Sequence, residues 1–111
     1  MTGMGEVLQV REYIDASGQS PFARWFTGLN STAAAKVTIA LYRLAQGNFS
    51  NVKGVGEGVH EYKIDFGPGY RVYFTRAGRR VVLLLCGGDK STQERDIARA
   101  KALAQELRDE R

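Results

Sequence analysis

The sequence predicts an α+β domain: a small β-α-α-β-β-β-α layer with helices packed on a mostly antiparallel sheet. Three observations predict it. Two early stretches repeat apolar residues at spacings of three and four, Phe22/Trp25/Phe26/Leu29 and Ala34/Val37/Leu41/Leu44. Three strand-like runs follow, separated by the turns Gly67-Pro68-Gly69 and Ala77-Gly78-Arg79. A last helical stripe, Ile97/Ala100/Ala104/Leu107, comes after them. With 111 residues the chain is long enough for one core and not for two, so residues 1–111 read as a single domain.

Val7–Tyr13 is rich in Val, Leu and Tyr and predicts the first strand, followed by a loop over Asp15–Gln19. Ser20-Pro21 is a helix start, Ser as N-cap and Pro at the first helical position; that helix ends near Gly28. A second helix begins at Asn30 or Ser31 and stops at Gly47, and the short link predicts a helix hairpin. Phe49–Gly58 reads as a glycine-punctuated loop. Val59–Phe66, Tyr70–Arg76 and Arg80–Cys86 are the remaining strands. The last is apolar on both sides and belongs in the sheet interior. Gly87-Gly88 should break it. Ser91-Thr92-Gln93-Glu94 has the capping-box form, with Ser91 as N-cap of the C-terminal helix. The order places the helix hairpin and the C-terminal helix together on one sheet face.

Composition excludes several function classes. The longest strongly apolar run, Val81–Cys86, is far short of a membrane span, and Met1–Gly5 lacks the pattern of a leader peptide. A lone Cys86 excludes an internal disulfide and fits a reducing compartment. The net charge is +4, but it is uneven: residues 36–90 hold nine basic and four acidic side chains, while the flanking segments are close to neutral. A localised excess points to a polyanionic partner, with an ordinary solvated surface as the alternative.

Strand alternation turns that excess into a candidate site. With a three-residue turn at 67–69, Asp65 faces Arg71 and Lys63 faces Tyr73. Tyr62, Ile64, Phe66, Tyr70, Val72 and Phe74 then form an apolar face toward the helices. Glu61, Lys63, Asp65, Arg71, Tyr73 and Thr75 form the other face, uncovered by any helix and bordered by Leu83 and Leu85. Lys63, Arg71 and Tyr73 together suit a phosphodiester, since Arg grips phosphate in a bidentate way and aromatic rings stack on bases. Other motifs carry less. Gly54-Val55-Gly56-Glu57-Gly58 precedes a strand and reads as a flexible loop. In Gly87-Gly88-Asp89-Lys90-Ser91, Asp89 stands where a phosphate loop needs glycine before its lysine. His60, the single histidine, reads as structural or solvent-exposed, Cys86 as a buried small hydrophobe, and Phe22/Trp25/Phe26 as core.

The stretch Glu61–Phe74 resembles the hairpin of the RelE/ParE toxin superfamily. Leu83–Ser91 and Arg95–Ala100 resemble the following segment of its HigB-like subgroup, the addiction-module killer proteins, and Asn48-Phe49 through Gly56–Val59 also fits. The resemblance runs from about Val7 to Leu107. It implies the same β-α-α-β-β-β-α layout and a cytoplasmic bacterial toxin of a type II toxin–antitoxin system, neutralised by an antitoxin encoded in an adjacent gene. It implies a metal-independent endoribonuclease, without cofactor, that cuts mRNA on the ribosome. The alternatives are inhibition of DNA gyrase, as by ParE, and a non-catalytic nucleic-acid-binding module. Carried over residue by residue, Lys63 and Arg71 correspond to the catalytic or RNA-binding Lys and Arg of the hairpin, and Lys90 to the basic residue after the last strand. Tyr73 is a candidate for stacking or proton relay. Asp65 stands where RelE enzymes carry a second strand Lys, so it is a possible base or an ion-pair partner of Arg71. Residues 91–111 contain no Tyr or His to match the C-terminal Tyr of RelE. Lys53, Arg76, Arg79 and Arg80 are candidate grips on RNA or ribosome.

Overall fold

A computed structural model describes residues 7–110; Met1–Gly5 lies outside them. The fold is α+β, as the sequence predicts: a five-stranded, mostly antiparallel sheet with three helices. The elements are β1 (Gln9–Glu12), α1 (Pro21–Thr27), α2 (Ser31–Ala45), β2 (Val52–Gly56), β3 (Val59–Ile64), β4 (Tyr70–Ala77), β5 (Val81–Gly88) and α3 (Gln93–Asp109). The sheet order is β1-β5-β4-β3-β2, and β1 pairs parallel with β5 while the other pairs are antiparallel. β5 lies in the interior, as its two apolar sides predict. β1 is shorter than expected, although the Tyr13 amide still donates to the Leu84 carbonyl at 2.8 Å.

The helix starts form where the local chemistry dictates. The Ser20 hydroxyl accepts from the Ala23 amide at 3.0 Å, and the Asn30 side chain accepts from the Ala33 amide at 2.9 Å. α1 packs on β5, and α2 packs on β1 and β3. Phe22, Val37, Ala40 and Leu44 meet Tyr62, Ile64, Val72, Phe74, Val82 and Leu84 in one core. Trp25 and Phe26 pack against that core.

Several expectations are corrected. The segment Phe49–Gly58 is not simply a loop, because Val52–Gly56 pairs with β3 as an edge strand. Two of its glycines serve the hairpin turn: Gly56 and Gly58 flank Glu57, and all three residues have positive φ. The β3–β4 turn is longer than three residues. Lys63 pairs with Arg71 and Ile64 with Tyr70, so Asp65 does not face Arg71. The slip is two residues, so each side chain keeps its predicted face. Gly87 and Gly88 lie within β5, opposite Val72 and Arg71. Ser91 is not the N-cap. Asp89 caps a single 3-10 turn over Lys90–Thr92, accepting from the Ser91 amide at 2.8 Å, and Thr92 completes the box.

The largest correction concerns the layers. α3 does not join α1 and α2 on one face; it covers the opposite face. Ala100, Leu103 and Ala104 pack with Tyr13, Val59, Tyr73, Leu85 and Cys86 in a second core. Two neighbouring glycines mark the two faces. A Cβ on Gly87 would lie 2.3 Å from the Trp25 ring of α1, and one on Gly88 would lie 1.8 Å from the Asp96 carboxylate of α3. The cause is the apolar character of β5 on both sides, with Tyr73 of β4 beside it. Tyr73, Leu85 and Cys86 each need cover, and full burial of such a side chain contributes about 1.5–3 kcal/mol. A bulge opposite Tyr73/Phe74 turns both Leu85 and Cys86 toward α3. No helix among the described residues is long and apolar enough to cross a membrane.

Candidate functional site

α3 covers the β3–β4–β5 face only in part, and the candidate residues lie where its cover begins. Arg71 is near the start of β4, between Lys63 of β3 and Gly88 of β5. It is 5% exposed. Its Nη1 donates to the Gly69 carbonyl at 2.7 Å, so the β3–β4 turn holds one end of the guanidinium. Its Nε lies 3.7 Å from Glu61 Oε2 and makes no hydrogen bond, though buried.

Glu61 is the hub of this corner. It is 1% exposed, and its Oε2 accepts from Gln93 Nε2 of α3 at 2.9 Å and from the Tyr73 hydroxyl at 3.2 Å. Its Oε1 lies 3.7 Å from the Lys53 ammonium, across the β2–β3 ladder. Two hydrogen bonds and two neighbouring cations offset the cost of burying this carboxylate. Strand alternation puts Glu61 in the same row as Arg71, although nothing in the sequence gives it a role. Its signal was a carboxylate on the strand face shared with Lys63, Arg71 and Tyr73.

Beside this corner is a cleft of about 400 Å³, lined by Ser50, Lys53, Glu61, Lys63, Asp65 and Arg71 among others. Lys63 and Asp65 are exposed on it. Ser50, Asn51 and Lys53 reach it because β2 is a strand, which fixes them against β3; the Lys63 amide donates to the Asn51 carbonyl at 3.1 Å. Lys90 is exposed beside the same turn that holds Arg71, its amide 3.4 Å from the Pro68 carbonyl. Nearby Asp89 is held below the usual carboxylate range, first by the Ser91 hydroxyl. The structure thus brings together Lys53, Lys63, Asp65, Arg71 and, at the edge, Lys90.

It does not bring in the rest. Tyr73 is fully buried under α3, so it cannot stack on a base; burial, reinforced by Glu61, pushes its phenol above its ordinary range. Leu83 and Leu85 pack toward α3 and do not border an open surface. Arg76, Arg79 and Arg80 sit at the β4–β5 tip, five or more residues along β4 from Arg71, roughly 17 Å at strand rise. There Arg76 donates to the Arg79 carbonyl at 2.7 Å and stacks over Phe49. His60 stacks on Phe74 with ring centroids 5.3 Å apart, on the α1–α2 face. Burial, then the Arg76 charge, lowers its pKa. Cys86 is buried, and that burial pushes its thiol up to about 12. Among the described residues no group of three or more His, Cys, Asp or Glu side chains could hold a metal ion.

The corner offers a fixed, desolvated guanidinium next to two exposed ammonium groups and one exposed carboxylate. Such an array can hold an anion against its cations.

No family model matches the chain. An uncharacterized protein of Haemophilus influenzae is 51% identical over 87 residues, which cover 78% of this chain and 88% of that protein. The chain belongs to the same family as that protein.

Proposed function

We propose that this family member is the toxin of a type II toxin–antitoxin system, a HigB-like protein of the RelE/ParE superfamily. On this reading it acts in the bacterial cytoplasm as a ribosome-dependent mRNA endonuclease. The observation that carries the reading is Arg71: a guanidinium on a rigid strand, set by Gly69 and Glu61, lining a cleft that also holds Lys53 and Lys63. A phosphodiester is the anion such a corner suits, because the guanidinium fork meets phosphate oxygens and its burial strengthens the attraction.

The reaction is attack of a ribose 2′-oxygen on the adjacent phosphorus. It breaks the bond to the 5′-oxygen, which takes a proton from water, and leaves a 2′,3′-cyclic phosphate and a 5′-hydroxyl. Arg71 stabilises the phosphorane charge, and Lys63 and Lys90 add positive charge around it. Asp65, the exposed carboxylate lining the cleft, takes the 2′-hydroxyl proton. Tyr73 leaves the catalytic set because of its burial, and Lys53 holds phosphate from β2. A cognate antitoxin would neutralise the protein by presenting acidic and apolar residues to the same cations.

The test is primer extension on mRNA from cells expressing wild type, Arg71→Ala or Lys63→Ala. Lys63 is exposed, so its variant separates loss of cleavage from loss of fold. Codon-register cuts with wild type, and none with either variant, are expected. Intact mRNA with folded wild-type protein overturns the reading, and gyrase-dependent DNA breaks in its place would transfer the protein to the ParE activity.

A further inference from the structure

A second groove adjoins the Arg71 cleft. It lies between α2 and the end of β3, holds about 220 Å³, and shares Asn51, Lys63 and Asp65 with that cleft. Its α2 wall carries Lys36, Ile39 and Arg43, which share one helix side at spacings of three and four. All three are exposed. Lys36 and Arg43 are two turns apart, about 10 Å along the helix axis. The opposite wall includes Phe66, half-buried, with the Lys36 ammonium 5.1 Å from its ring centroid. Asp65 is the one carboxylate lining the groove, against Lys36, Arg43 and Lys63.

We propose that a single-stranded RNA runs from the Arg71 cleft past Lys63 into this groove, with phosphates on Arg43 and Lys36 and a base against Phe66 and Ile39. The inference rests on the reading of the Arg71 cleft as a phosphodiester site. Proteins that track single strands combine a cationic groove with aromatic faces, and this groove has both. Continuity favours a strand: Lys63 lines both cavities, so a chain held at Arg71 passes a cation as it enters the α2 groove. The aromatic face fits it too: Phe66, with the Lys36 ammonium 5.1 Å from its ring centroid, sets a stacking surface beside a phosphate-binding cation. This places the strand grip on α2 and not on Arg76, Arg79 and Arg80 at the far end of β4.

The experiment is fluorescence anisotropy with labelled octauridylate at 50 and 200 mM salt, without ribosomes. Each contacted phosphate adds about 0.7 to the salt slope of single-strand binding, so Lys36→Ala/Arg43→Ala should lower the slope by about 1.4. Its affinity gain over that fourfold salt range should be about sevenfold smaller than that of wild type. Phe66→Ala should weaken binding and leave the slope unchanged, and urea midpoints check that both variants fold. Wild-type affinity and slope in the double variant overturn the proposal. So does labelled oligoglutamate binding more tightly than octauridylate and losing that binding in the double variant, which assigns the groove to an acidic protein segment. Primer extension separates this outcome from the reading it rests on. Codon-register cuts alongside unchanged octauridylate binding refute the groove alone. Groove-dependent binding without any cuts refutes the endonuclease reading and leaves the groove as an RNA-binding surface.

Discussion

Glu61→Ala should be among the most destabilising single substitutions in this chain. The change removes the acceptor of two hydrogen bonds and the counter-charge of two cations. The two ion pairs are unequal. The Lys53 side chain is 66% exposed, so that pair contributes about 0–1 kcal/mol. The Arg71 side chain is 7% exposed, and a buried charge stripped of its partner costs about 3–5 kcal/mol. A loss of about 4 kcal/mol is a large part of the roughly 5–15 kcal/mol that holds a domain together. Urea unfolding followed by Trp25 fluorescence is the assay. Trp25 is the single tryptophan and packs edge-on to Tyr70 at 6.3 Å. With a urea dependence of about 1–3 kcal/mol per molar, the midpoint should fall by roughly 1–4 M. Arg71→Met in the Glu61→Ala background removes the orphaned cation and should recover much of the loss. A Glu61→Ala midpoint close to wild type would refute the reasoning. So would a double variant whose cost is the simple sum of the two singles, because a buried pair must couple.

Three further outcomes follow from the same packing. Gly88→Ala should cost about 1–3 kcal/mol, because its Cβ would fall on the Asp96 carboxylate; Gly54→Ala, with nothing within 4 Å, should stay within about 0.5 kcal/mol by the same urea titration. Cys86 should resist a thiol-reactive maleimide in the native protein at neutral pH and react fully in urea, since its thiol is buried and pushed up to about 12; rapid native labelling would contradict its placement. For His60 the folded pKa lies below the unfolded value near 6.5. The unfolded chain therefore takes up the proton first, so this contribution is present above about pH 6.5 and is lost as the pH falls through the lower folded value. The urea midpoint of His60→Gln should fall less than that of wild type across that window, and parallel profiles would contradict the sign.

Local chemistry was legible in the sequence, and the choice of sheet face was not. Ser20-Pro21 and Asn30 cap their helices because an N-cap needs only one side chain and an amide three residues on. Strand alternation placed Lys63 and Arg71 on one face and survived a wrong turn length, because the slip was an even number. β2 was missed because Gly54 and Gly56 suggest a loop, and because an edge strand that buries only part of Val52 and Val55 has little apolar pattern to read. The position of α3 was missed for a different reason. An amphipathic stripe says that a helix packs, not on which side. The usable signal was β5, apolar on both sides, followed by two glycines that each admit a neighbour from opposite faces. Tyr73 was misjudged as a consequence: on an uncovered face it would stack, and under α3 it is core.

The covering helix and the candidate site are one arrangement. Gly88 leaves the space that the Asp96 carboxylate fills, and this lets the first turn of α3 lie close on β5. Thr92 then donates to Asp96, and Gln93 reaches Glu61. Glu61 is thereby sealed from water and held against Arg71, while Lys63 and Lys90 stay exposed. Shifting α3 outward would admit water to Glu61 and weaken its pull on Arg71, because the attraction between two charges falls as the local dielectric rises. Gly88→Ala should therefore affect more than stability. In folded protein it should also loosen the guanidinium, weakening octauridylate binding although residue 88 carries no charge. Gly87→Ala, which presses on Trp25 of the other face, should cost comparable stability and leave that binding unchanged. Equal loss of binding in the two variants would separate the site from α3 and leave its electrostatics to the β3–β4 hairpin alone.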